Sequence, residues 1–107
     1  MAPRLAAGLI VSALIRRIEA ASGSAMVLAK GDPTAGAMLL ALADRGETHR
    51  LIERTMGPGG YAWIDTGPAE PGARADYLAR RRRGDPDLWI VELDHPDAAR
   101  IATEVLG

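Results

Sequence analysis

Apolar residues recur along this chain with two periods, and the switch between them marks out its elements. From Leu9 to Ala21, Ile10, Leu14 and Ile18 stand at i, i+4 and i+8, the spacing of one helix face. Arg16, Arg17 and Glu19 fall toward the other side, and Ser22-Gly23 supplies a stop. With Ser12 as N-cap instead, Leu9 to Val11 would be a short extended entry. Ala25 to Ala29 reads as a brief buried strand, closed by the turn Gly31-Asp32-Pro33.

Segment 34–45 has two readings. Its Ala, Met and Leu content favours helix by propensity. The apolar run Ala37 to Ala43, set between Gly36 and Gly46, suits a central strand covered on both faces, and strand is the reading adopted. Arg45-Gly46 then turns the chain into a second strand, Thr48 to Met56. Gly57-Pro58-Gly59-Gly60 reverses it again into Tyr61 to Asp65, where large and small side chains alternate. Thr66 to Gly72, with two Pro and two Gly, is a loop.

Ala73 to Arg83 is expected as a helix with Ala75, Leu78 and Ala79 inward and Gly84 as its C-terminal cap residue. Leu88 to Leu93 is the clearest strand, with Trp89, Val91 and Leu93 on one face. Pro96 to Leu106 forms a last helix that packs through Ile101, Val105 and Leu106. The order α-β-β-β-β-α-β-α describes an α+β fold and one domain, residues 1–107. It predicts a mostly antiparallel sheet of about four to five strands, with two to three helices packed on it.

Composition sharpens this picture. Of the 107 residues 48% are hydrophobic but only 4% aromatic, with no Phe, so the core is aliphatic and Trp63 and Trp89 are its large anchors. Thirteen Lys and Arg against fourteen Asp and Glu give a net charge of −1, which argues against a nucleic-acid coat or a polybasic membrane anchor. The absence of Cys removes disulfides, thiolate metal sites and Cys nucleophiles together. Arg4 followed by the apolar run Leu5 to Ile15 has the length of an export signal's core. Arg16, Arg17 and Glu19 occupy the place where a neutral cleavage region belongs, so a buried helix is the better reading. The run is also too short to cross a bilayer, which takes about 20 apolar residues. A cytoplasmic protein without membrane contact is expected.

Three constellations invite a chemical reading. Arg80-Arg81-Arg82-Arg83, with Arg74 and Tyr77 on the same helix, could hold phosphate, nucleic acid or an acidic partner. Cations in a last helical turn also complement the helix dipole, and Asp76, Asp85 and Asp87 offset them. Asp94-His95-Pro96-Asp97, with His49 half a chain away, could form a small-molecule site. A metal usually takes three protein ligands, so none is expected, and Asp94 or His95 as a helix cap explains the segment equally well. Gly31-Asp32-Pro33-Thr34-Ala35-Gly36 lacks the Gly-Lys-Ser/Thr ending of a phosphate loop and reads as a turn. No Gly-x-Ser-x-Gly elbow is present, no catalytic residue is assigned and no cofactor is expected.

Three phrases, Val11 to Arg17, Lys30 to Gly36 and Asp85 to Leu93, taken in that order resemble a family of short alphaproteobacterial proteins classed as a domain of unknown function. The resemblance covers nearly the whole chain and implies no activity, cofactor or catalytic residue. The leading expectation is a non-enzymatic interaction module with an unidentified protein partner, or a homodimer through a sheet edge or an apolar helix face. Nucleic-acid binding through Arg74, Tyr77 and Arg80 to Arg83 is the alternative. A small-molecule binder or enzyme using His49, Asp94, His95 and Asp97 comes third.

Overall fold

A computed structural model describes residues 6–106. The elements run α1 (Ala7–Ala20), β1 (Ser24–Ala29), β2 (Met38–Asp44), β3 (Glu47–Gly57), β4 (Gly60–Asp65), a 3-10 turn (Pro71–Ala73), α2 (Arg74–Gly84), β5 (Trp89–Asp94) and α3 (Ala98–Glu104). Arg4 and Leu5, the start of the segment weighed as an export signal, lie outside the described residues.

The five strands form one sheet in the order β1-β5-β2-β3-β4. Only the β2–β5 pair is parallel; β1–β5, β2–β3 and β3–β4 are antiparallel. Segment 38–44 is therefore the central strand, and every residue from Met38 to Ala43 is buried. Met38, Leu40 and Leu42 meet α1 and α3 on one face, while Leu39 and Ala41 face the side of α2. Burial on both faces outweighs the helix propensity of this run.

Ile10, Val11, Leu14 and Ile18 turn the apolar stripe of α1 into the sheet, and Ala98, Ile101 and Ala102 do the same for α3. Trp89 closes this core, with its indole N–H donated to the Asp32 carbonyl at 2.7 Å. Trp63 is half-buried and donates to the Ala102 carbonyl at 2.9 Å. The last helix is shorter than 96–106, since the Asp94–Asp97 corner takes up its expected first turn.

The stop expected at Ser22-Gly23 ends α1, while the expectation for the end of α2 changes. Ser22, not Gly23, takes the left-handed conformation after α1 (φ 69°). Gly23 is required for another reason: a Cβ there would lie 2.5 Å from the Asp94 carbonyl oxygen. At the end of α2, Gly84 is still helical and the cap residue Asp85 is extended. The inward face of α2 also differs. Ala75 and Ala79 are exposed, and Tyr77 and Leu78 make its apolar contacts with the sheet.

Candidate functional site

Arginine, rather than apolar burial, fastens α2 to the molecule. No residue of this helix is fully buried. Arg74 donates to the carbonyls of Thr48 (2.9 Å), His49 (3.1 Å) and Ala69 (3.1 Å). Arg81 forks onto the Glu53 carboxylate at 2.7 and 2.8 Å and also donates to the Tyr77 hydroxyl at 2.8 Å. That hydroxyl meets Thr66 Oγ1 at 2.7 Å. Glu53, by accepting these bonds, raises the Arg81 pKa above its ordinary value. Arg82 donates to the carbonyls of Pro86 (2.7 Å) and Leu88 (3.1 Å). Of the six residues named as a binding patch, Arg74, Tyr77, Arg81 and Arg82 are thus engaged within the chain, whereas Arg80 and Arg83 are exposed.

The second constellation is taken apart by the fold. Asp94 accepts the backbone amides of Arg45 (3.0 Å) and Gly46 (2.8 Å), both of which have positive φ. This two-residue reversal between β2 and β3 needs left-handed backbone at both positions, and Asp94 braces it. So Asp94 caps a turn half a chain away instead of α3. His95 Nδ1 accepts the Asp97 amide at 2.9 Å, which places the ring proton on Nε2, donated to the Ala21 carbonyl at 3.0 Å. The Asp97 carboxylate meets Arg100 at 3.4 Å. His49 is exposed on β3, beside the 66–69 loop. Among the described residues no three His, Asp or Glu side chains are grouped to hold a metal ion.

What the sequence did not reveal is an opening on the α2 face. Between α2 and the sheet lies a cavity of about 520 Å³ with Leu28, Ala41, Leu51 and Leu78 as its apolar lining. Glu47 and Glu92 also line it, and neither carboxylate makes a hydrogen bond or ion pair with a described residue. The cavity runs up to β1, the free edge of the sheet beyond β5. Nothing in Ser24–Ala29 is charged, and Met26 (60%), Leu28 (46%) and Val27 (39%) are exposed there. The strand expected at Ala25–Ala29 is present, but it is not buried as expected, because its place at the edge of the sheet leaves it exposed.

The family model described as a protein of unknown function, DUF1491, matches residues 5–103. The chain belongs to the DUF1491 family. A crystal structure of a DUF1491 protein from Caulobacter crescentus is similar, at 36% identity over 92% of this chain and 94% of that one, with a TM-score of 0.79. An NMR structure of a DUF1491 protein from the same bacterium gives 33% identity, 94% of each chain and a TM-score of 0.78. The solution structure of an A. tumefaciens protein gives 32%, 87% of each chain and 0.66. Comparison with curated proteins finds no match. The alphaproteobacterial resemblance is thereby established.

Two of the DUF1491-like phrases interlock. Asp32 N donates to Asp87 O at 3.0 Å, and a Cβ on Gly31 or Gly36 would come within 2.2 or 2.3 Å of that same oxygen. Asp32 Oδ1 accepts the amides of Thr34 and Ala35 at 2.8 Å, and these bonds, Ala35 first, lower its pKa. The carbonyls of Pro33 and Thr34 receive the first amides of α1. The phrase 30–36 is therefore a joint that seats α1 and Trp89, consistent with its reading as a turn.

Proposed function

We propose that this DUF1491 chain is a non-enzymatic interaction module of the cytoplasm whose binding surface is the β1 edge. The observation that supports this is the uncharged strand Ser24–Ala29 at the end of the sheet, with Met26, Val27 and Leu28 exposed. An edge strand presents unpaired backbone groups to any strand that can lie beside it, and edges that avoid pairing carry charge or proline. This edge carries neither charge nor proline, and its register with β5 is regular over Ser24–Val27, shifting only between Val27 and Ala29. Among the described residues no helix is long and apolar enough to cross a membrane.

The test is a pair of lysines on the edge, Val27→Lys with Leu28→Lys. Exposed substitutions shift stability by only about 0.5 kcal/mol each, so the variant should fold. Proteins retained by the wild type from a lysate of the source organism should fall at least tenfold on the variant. A partner set that the lysines leave unchanged, or no partner at all, overturns the reading.

A further inference from the structure

We infer that the partner of the β1 edge is an extended segment carrying lysine or arginine, whose cation reaches Glu92 across β1. The inference rests on the edge reading above and names the chemistry that reading leaves open. Glu92 is the charged residue within Trp-Ile-Val-Glu-Leu on β5, an inner strand. It is paired with Met26 on β1 and with Ala41 on β2. Its neighbours Val91 and Leu93 turn into the α1 face, so Glu92 lies on the α2 face, where it lines the cavity. The methyl of Ala41 leaves space above it, and Met26 stands exposed on its outer side.

A carboxylate on the wall of an apolar cavity attracts an arriving cation more strongly than one in open water does. Two carboxylates, Glu47 and Glu92, line the cavity against one cation, Arg74, which is already bonded to three carbonyls. The cavity is therefore apolar with an excess of negative charge. A strand added beyond β1 would run two sheet spacings from β5, roughly 9–10 Å. Lysine and arginine lay their carbon stems along apolar surface and keep the charge at the tip. Here the stem would cross Met26 and Leu28 and the tip would meet Glu92. Aliphatic residues alternating with the cations would lie on the opposite face, beside Val27.

An alternating valine–lysine hexapeptide, with valine–glutamine and valine–glutamate counterparts, titrated into ¹⁵N-labelled protein tests this. The lysine peptide should move the amide signals of Ser24–Ala29 and Glu92 with a Kd at least fivefold below that of the glutamine peptide. Glu92→Gln should remove that difference and leave the glutamine peptide's binding as it was. Equal binding of lysine and glutamine peptides at β1 overturns the cation requirement and leaves the edge reading standing. No peptide moving the β1 signals overturns both. Concentration-dependent shifts of β1 without peptide would instead make a second copy of this chain the occupant, and overturn the inference.

Discussion

On one face of the sheet, α1 and α3 bury Ile10, Leu14, Ile18, Ile101 and Ala102 against Leu40, Leu42, Val91 and Leu93. On the other, α2 buries nothing fully and is tied down by Arg74, Arg81 and Arg82. Apolar burial is non-directional and excludes water over its whole area. Arginine forks fix a helix at points and leave the space between them open. That difference is why the cavity lies under α2. It also places the larger buried core on one face and leaves the other with the smaller cluster of Leu39, Ala41, Leu51, Leu88 and Ile90 beside the cavity.

The comparison breaks most visibly if equivalent leucines prove equal. Leu14→Ala, on the closed face, should cost about 3–4 kcal/mol, the range for a fully buried leucine. Leu78→Ala, on the open face, should cost about 1 kcal/mol, since that side chain is only half-buried. Urea unfolding of both variants checks this, and equal losses would mean that α2 is as well packed as α1. A smaller effect sharpens the picture. Arg81→Met and Glu53→Gln should couple by about 1–2 kcal/mol in a double-mutant cycle, because the forked pair is largely shielded from water. Hydrogen exchange of α2 amides should quicken in either variant while that of α1 stays as it was. Equal quickening in both helices would show that the pair holds the whole fold.

The same contrast explains what the sequence could reveal. The α1 stripe, the five strands and the face shared by Trp89, Val91 and Leu93 follow from local periodicity, and the run Met38–Ala43 betrayed its central place by being apolar on both faces. What escaped was long-range. Nothing near Asp94 shows that its carboxylate braces the Arg45-Gly46 turn, and nothing near Arg81 names Glu53 as its partner. The four-arginine run looks like a binding patch, yet Arg81 is taken by Glu53 of β3, far away in sequence, and Arg82 by the Pro86 and Leu88 carbonyls of the loop just after α2. Likewise β3 slips register between Thr48 and Arg50, so the alternation of faces along 47–53 is broken at His49. The uncharged β1 was legible as a strand, but edge position depends on the whole sheet.

The smallest effect separates the two kinds of bond at two aspartates. Asp65 is held below its ordinary pKa by a hydrogen bond from the Arg50 side chain, Nε to Oδ1 at 2.6 Å, on an exposed pair near the β4 edge. Asp32 is lowered by backbone amides in the joint beneath α1. A carboxylate whose folded pKa is depressed contributes stability that is fully present above its unfolded value, near 3.8. It loses that contribution as pH falls through the folded value. Both groups should therefore weaken the fold only below about pH 4. Salt distinguishes them. At 1 M the screening length is about 3 Å, which weakens an exposed ion pair but leaves rigid backbone amides in place. In a ¹³C carboxyl titration, raising salt from 0.05 to about 1 M should move the Asp65 midpoint back toward its ordinary value and leave that of Asp32. If both move together, the 30–36 joint is itself held by charge, and the closed face depends on electrostatics as much as the open one does.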